Sequence, residues 1–320
     1  MHTAGEPLRI VLSGVPEPAG RTVLEKRAAL KGSDAFRTRL MYEPRGHVDM
    51  YGALLVQPER EDSAFGAIFL HNEGYSTMCG HAVLALARAS WEGLIPGGAE
   101  EVAIDVPAGQ VQARVVLEDG RYVRSAFRNV PSFADSPRVP VEVPGLGVVQ
   151  FEIAYGGAFY AFVDAPSLGL SLVPSESQRL IDAGRQIKAA IRERGEPVHP
   201  FEPDLSFLYG VIFTGPPADP SHHSRHVCVF ADGEVDRSPT GTGVSARAAL
   251  LRARGEMGHG ERIVIESILG TTFGVTALGE CPFGPHVGVS TEVDGAAYFT
   301  GRSTFLFDPE DPLRDGFLLR

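Results

Sequence analysis

Two short stretches combine residue types that can do chemistry with positions that favour it. Met78-Cys79-Gly80-His81 puts a cysteine directly before a predicted helix over about 80–91, GHAVLALARASW. At a helix start the first N–H groups lack intrahelical acceptors and the dipole is positive. Both effects favour thiolate over thiol and pull the pKa below the roughly 8.5 of a free cysteine. The same N–H groups can hold a carboxylate, and Gly80 lets a ligand approach the main chain closely. One turn of chain can thus supply both a base and an anion cradle. The plainer reading is a buried structural cysteine, a common fate of that residue. Asp236-Arg237-Ser238-Pro239-Thr240-Gly241-Thr242-Gly243 opens a second predicted helix, over about 241–254, with Thr240 standing where Cys79 stands in the first. Its glycines resemble a phosphate loop only superficially, since no GK[ST] follows and Rossmann spacing is absent. Its plainer reading is a helix capped after a proline turn, with Asp236 in the turn and Ser238 or Thr242 as the cap.

Taken together, two such helix starts can grip one carboxylate from opposite sides and leave the Cα of an amino acid between Cys79 and Thr240. A base must lie within hydrogen-bond reach of the proton it takes. Donated N–H bonds stabilise the negative charge that spreads into the carboxylate at the transition state. The scheme needs no metal or cofactor, and the sequence offers no evident site for either. His222-His223 and His226 have i, i+4 spacing but sit in a Pro/Ser loop running into a strand. That context argues against a metal site there, and His47, His71 and His286, in no ligand spacing, read as structural or surface histidines. Glu73 and Tyr75, just upstream of Cys79, read equally as lining residues or as loop-shaping ones.

The elements that must position these residues repeat. Aligning Cys79 with Thr240 brings Gly80 onto Gly241, Val83 onto Val244, Ala85 onto Ala246 and Ala87 onto Ala248, and each helix runs to a glycine, Gly93 or Gly255. Such a glycine suits the left-handed position after a helix. The first helix is apolar nearly all round up to Arg88, the pattern of a helix buried inside a wrapped sheet. Short β-rich runs punctuated by Gly, Pro and Asp recur at 8–12, 67–70, 102–106, 111–117, 159–163, 227–230, 262–266 and 272–277, with a third helix predicted over 175–194. The fold expected is α/β (α+β), with two similar halves, each a mixed or antiparallel sheet around one central helix. The first half is drawn as residues 1–122 with 293–320 and carries Cys79. The second is drawn as 123–292 and carries Thr240.

With 320 residues, 43% of them apolar and 22% charged, the chain can bury a sizeable core. Its net charge of −11 argues against nucleic acid and anionic membrane surfaces as partners, because both select basic faces. The start, MHTAGEPLRIVL, lacks the basic and long apolar regions of a signal peptide, so a cytoplasmic location is expected. Three widely spaced cysteines, Cys79, Cys228 and Cys281, make a poor disulfide framework, which leaves a working thiol as the use for any that matters.

These residues resemble the proline racemase family, of the diaminopimelate-epimerase-like fold. The similarity runs through His2-Thr3-Ala4-Gly5-Glu6-Pro7, Glu43-Pro44-Arg45-Gly46-His47, Met78-Cys79-Gly80-His81, Asp236-Arg237-Ser238-Pro239 and the tail with Gly301 and Asp311-Pro312. The resemblance implies two pseudosymmetric halves with the active site between them, no cofactor, and a homodimer. By position it makes Cys79 a catalytic base. It gives Gly80, His81, Gly241 and Thr242 main-chain contacts to the substrate carboxylate, puts His81 and Asp236 near the ring nitrogen, and makes Phe230 an aromatic wall. Racemases and 4-hydroxyproline epimerases of the family carry a second cysteine at position 240. Thr240 is neither a fair base nor a fair acid near pH 7. The Cys/Thr branch implies elimination of water from trans-3-hydroxy-L-proline, giving Δ1-pyrroline-2-carboxylate. Proline racemase or 4-hydroxyproline 2-epimerase activity is the alternative, and a non-catalytic amino-acid-binding protein the remote one. The family's usual strand-forming residues before the His-Thr-Ala-Gly segment are replaced here by Met1 alone, so a late start or a short first strand is expected.

Overall fold

The structure, a computed structural model, describes residues 1–32 and 34–319. The chain divides into two compact units, Met1–Ser125 with Ala296–Arg320, and Ala126–Gly295.

In the first unit the main sheet runs Arg9–Val11, Tyr51–Val56, Phe65–His71, Glu101–Val106, Gly109–Glu118. The pairings alternate parallel, antiparallel, parallel, antiparallel. Parallel neighbours need a long crossover. The first crossover holds helices α1 (Val23–Leu30) and α2 (Ala35–Met41), and the second holds α3 (Gly80–Trp91). Phe65–His71 is buried along its whole length, as an unbroken apolar run requires. A second, small sheet orders Ala297–Tyr298, His2–Thr3 and Glu6–Pro7 antiparallel. Helix α3 packs on Gly109–Glu118 from the main sheet and on His2–Thr3 and Ala297–Tyr298 from the small one. It is covered on two sides, so it must be apolar on both. This is why ten of its twelve residues are buried.

The second unit orders its strands Phe133–Val143, Gly147–Tyr155, Phe159–Asp164, Leu208–Gly215, Ser224–Phe230, Arg262–Glu266, Thr272–Phe283, His286–Gly295. Ser132 and Val289 exchange both main-chain hydrogen bonds, so the first and last strands meet. The sheet thereby curls around the central helix α5 (Gly241–Ala253), which packs on strands from both of its ends. From Phe159–Asp164 onward the pairings again run parallel, antiparallel, parallel, antiparallel. Helix α4 (Ser177–Arg192) fills the first crossover and α5 the second. Each unit therefore carries its central helix at the same step of the same strand pattern, the step at which the Cys79 and Thr240 segments align.

The two central helices also end alike. Gly93 and Gly255 take φ of 72° and 73°. Leu94 N–H reaches Ala89 O and Gly93 N–H reaches Ser90 O, while Glu256 N–H reaches Leu251 O and Gly255 N–H reaches Arg252 O. Both are Schellman closures, which need a left-handed residue that glycine adopts without strain. No helix among the described residues is long and apolar enough to cross a membrane.

Candidate active site

At the start of α3, Cys79 is the N-cap residue in an extended conformation, and its side chain makes no capping bond. Its carbonyl accepts the first helical bond from Val83 N–H. By helix geometry the amides of Gly80, His81 and Ala82 have no acceptor within the helix. The thiol instead meets a histidine: Cys79 Sγ lies 3.1 Å from His81 Nδ1. Nε2 lies 3.8 Å from the same sulfur and 3.2 Å from Pro7 O. A carbonyl can only accept, so Nε2 carries a hydrogen toward Pro7, and in the neutral ring Nδ1, the nitrogen nearer the sulfur, is the unprotonated one. This arrangement can take the thiol proton and hold the resulting thiolate beside an imidazolium. The ring is fixed further by Thr3 Oγ1, which donates to His81 O at 2.8 Å, and by Tyr51, whose ring meets it edge-on at 4.8 Å. Tyr51 is itself tied to Ser76 Oγ at 2.5 Å and stacked on His71. Cys79 and His81 are 6% and 3% exposed, so the pair is shielded from bulk water.

At the start of α5, Thr240 is the N-cap residue at φ 68°, ψ 96°. A β-branched residue at positive φ is a genuine outlier, and strain of this kind collects at functional sites. Three main-chain and side-chain bonds hold it there. Thr240 N–H donates to Ser238 Oγ at 3.1 Å, Ser238 N–H donates to Asp236 Oδ1 at 2.7 Å, and Val244 N–H donates to Thr240 O at 2.8 Å. The Thr240 hydroxyl is buried without a hydrogen bond of ordinary geometry, although it lies close enough to favour the charged form of Asp236. Burial outweighs that help and the Ser238 bonds, and the Asp236 carboxyl is pushed up from its ordinary value. Thr242, in the first turn, shares a 2.7 Å hydrogen bond with Tyr160.

The residues singled out in the sequence thus fall into two groups. Cys79, Gly80 and His81 meet at the start of α3; Asp236, Thr240, Gly241 and Thr242 meet at the start of α5. Phe230 ends its strand and stacks on Tyr209 at 5.4 Å; Tyr209 meets Tyr160 edge-on at 5.8 Å. That aromatic row leads from Phe230 to Thr242. Tyr51, Tyr160 and Tyr209 are not singled out by the sequence, whereas Ser238, read there as a cap, accepts from Thr240 N–H. The partners of these tyrosines lie on elements distant in sequence, Thr242 on α5 for Tyr160 and Ser76 and His81 for Tyr51, and no local pattern announces such pairings. Tyr75 donates to Asp34 Oδ1 at 2.8 Å and packs in the core beside α1 and α2, so it shapes the loop before Cys79. His222 bonds Glu266 at 2.9 Å. Among the described residues no group of three His, Cys, Asp or Glu side chains is arranged to hold a metal ion.

Comparison with known proteins gives this arrangement its kinship. A trans-3-hydroxy-L-proline dehydratase of Colwellia psychrerythraea is 51% identical over 323 residues, covering 100% of this chain and 91% of that protein. The human protein named trans-3-hydroxy-L-proline dehydratase is 47% identical over 330 residues, covering 100% and 93%. The crystal structure of a hydroxyproline epimerase from Agrobacterium vitis with bound trans-4-hydroxy-L-proline superposes with a TM-score of 0.92 at 31% identity, over 99% of this chain and 93% of that one. The sequence profile described as Proline racemase matches residues 1–318, both helix starts included. The chain belongs to the proline racemase family.

Proposed function

We propose that this chain is a trans-3-hydroxy-L-proline dehydratase, a hydro-lyase that works without a cofactor. The observation that carries the reading is Thr240: at the position equivalent to Cys79 stands a side chain with no group that titrates near neutrality. Relatives about half identical along the full chain and named for this activity support it. In this reading the helix-start amides of Gly80, His81, Gly241 and Thr242 take the substrate carboxylate. Asp236 and His81 lie toward the ring nitrogen, and Phe230 walls the ring.

His81 Nδ1 accepts the thiol proton, and the Cys79 thiolate then removes the proton from Cα. The electron pair left at Cα is spread into the carboxylate, where donated N–H bonds stabilise it. It then forms the Cα–Cβ double bond and expels the 3-hydroxyl as hydroxide, which becomes water on gaining a proton. The substrate has lost one proton and one hydroxide, so the balance closes without an oxidant or reductant. The enamine tautomerises to Δ1-pyrroline-2-carboxylate. No proton is delivered to the opposite face of Cα, and a threonine suffices there. A working thiol at Cys79, with Cys228 and Cys281 also outside any disulfide, suits a reducing compartment such as the cytoplasm.

The test is incubation with trans-3-hydroxy-L-proline in deuterated water, coupled to reduction of the imine. Imine formation is expected; its absence at high enzyme concentration sinks the proposal. The second reading, epimerisation of 4-hydroxyproline or racemisation of proline, draws on the likeness to the Agrobacterium vitis epimerase. It predicts deuterium at an inverted Cα with no loss of water.

A further inference from the structure

The carboxylate cradle at the start of α5 has a feature that its main-chain amides do not explain. Thr242 is 2% exposed, and its hydroxyl lies 2.7 Å from the Tyr160 hydroxyl. Either hydroxyl can donate across this contact; the phenol is the stronger acid, which favours Tyr160 O–H as the donor to Thr242 Oγ1. No other hydrogen bond of the Thr242 side chain occurs among the described residues, so with Tyr160 as the donor the Thr242 proton is left to be donated. Threonine oxygens in a helix usually turn back to a carbonyl four residues earlier. Thr242 is the second residue of α5, and that carbonyl belongs to the turn outside the helix. In that orientation the group is a buried donor beside a phenol, in the turn whose amides have no acceptor within the helix.

The surroundings hold that turn in place. Gly156 presses so closely on it that a Cβ there would lie 2.1 Å from Thr242 O. Gly156 is in turn held by Asn129, whose Nδ2 donates to Gly156 O at 2.7 Å while its Oδ1 accepts from Val130 N–H at 2.9 Å. Tyr160 is clamped from its other side by Tyr209, on which Phe230 stacks. The main-chain end of the clamp is closed by Lys188 Nζ, which donates to Tyr209 O at 2.9 Å and to Ala231 O at 2.6 Å.

We infer that the Thr242 hydroxyl, and not its amide alone, donates to the substrate carboxylate, and that Tyr160 is the positioning residue that aims it. The inference rests on the reading of the α5 start as a carboxylate cradle. The relay runs Tyr160 O–H to Thr242 Oγ1, and Thr242 O–H to a carboxylate oxygen. Donation by the phenol strengthens the hydroxyl as a donor, as hydrogen bonds in a chain polarise one another.

The test is a double-mutant cycle with T242V, Y160F and the double variant, with T242S beside them. Two quantities are read: the Kd for pyrrole-2-carboxylate by calorimetry, and kcat and KM for trans-3-hydroxy-L-proline. T242V is expected to weaken pyrrole-2-carboxylate about tenfold, the size of one hydrogen bond to a charged group. Y160F is expected to weaken it about fivefold, and the double variant no more than T242V alone. KM should rise by similar factors with kcat changing less, and T242S should bind as the parent does. Parent-like binding by T242V, or single effects that multiply in the double variant, overturns the inference. Where Y160F melts well below the parent, T242V against T242S decides alone. A parent that binds pyrrole-2-carboxylate but does not dehydrate trans-3-hydroxy-L-proline sinks the dehydratase reading and leaves the binding cycle to decide this one. A parent that binds none at millimolar concentration overturns both.

Discussion

Replacing Gly156 by alanine should cost activity far more than its chemistry suggests. Gly156 does not take a positive φ, so its own backbone accepts a Cβ. Its neighbour does not. The added atom would lie 2.1 Å from Thr242 O and 2.8 Å from Ala246 N, both main-chain atoms of α5. A carbon and a carbonyl oxygen settle at roughly 3.3 Å, so one side must retreat by about 1.2 Å. Gly156 is tethered through its carbonyl to Asn129 and through its amide to Ala158 O, which leaves the first turn of α5 to move. A displacement of about 1 Å in a catalytic arrangement costs on the order of 100-fold in rate. The overpacking itself costs about 1–3 kcal/mol of stability. The assay is kcat/KM for trans-3-hydroxy-L-proline alongside a melting curve, with G255A as the comparison. Gly255 closes the other end of the same helix at φ 73° with open space around its missing Cβ. Alanine there strains the cap and lowers the melting temperature without pressing on the turn. G156A should therefore lose about 100-fold in kcat/KM, while folded G255A keeps parental activity. The steric argument is refuted if G156A stays within about threefold of the parent, or if G255A loses as much.

Removing the base should leave binding intact: C79S is expected to lose about 1,000-fold or more in kcat, within the range for a positioned acid–base group, while still binding pyrrole-2-carboxylate. T240C supplies a second thiol at the α5 start. It should bring deuterium from solvent into inverted Cα of L-proline or 4-hydroxyproline, which chiral chromatography with mass detection reads; an absence of exchange counts against position 240 as the second proton-transfer position of the proposed mechanism. Glu266 predicts an acid-dependent stability. Burial raises its carboxyl, but the amides of Ala218 and Asp219, with His222 and Arg225, outweigh burial and bring it down from 4.5 to about 2. A depressed carboxylate stabilises the fold fully above its unfolded value and loses that contribution as pH falls toward the folded one. E266Q should be less stable than the parent at pH 7, with a smaller further fall in its urea midpoint between pH 7 and pH 3; equal falls would show that Glu266 is not a source of the acid sensitivity.

The parts of the fold legible in the sequence are those whose signal is local. Helix α3 occupies the predicted 80–91, and α5 ends one residue short of the predicted 254, because its residues are apolar at helical spacing and each helix meets a glycine stop. The strand 262–266 is read to the residue. Helix α1 was missed although its signal is local as well. Thr22 accepts from Glu25 N–H and Glu25 accepts from Thr22 N–H, a capping box spelled Thr-x-x-Glu. What hid it is the short, charged VLEKRAAL that follows, which lacks an apolar stripe. Strands 133–143, 147–155 and 286–295 were missed for another reason. They alternate or expose polar residues, and their partners decide them. In the candidate site, Cys79 and Thr240 are readable because each precedes a helix. The Cys79–His81 geometry is not, since it depends on Pro7 fixing the ring from seventy-four residues away. Tyr160 pairs with Thr242 across eighty-two residues, with nothing in either segment to announce it.

Thr240 has a consequence for how chemistry and folding are divided in this chain. Its main chain is fastened by Ser238 and Val244, whereas its hydroxyl fastens nothing with ordinary geometry. The fold supplies the place and asks little of the occupant beyond tolerance of a left-handed backbone, which a less branched side chain meets with less strain. The position is therefore a socket. Exchange of cysteine, serine or threonine there should cost little stability, and under the proposed function the choice between inverting Cα and eliminating water would then rest on that one side chain rather than on the architecture around it.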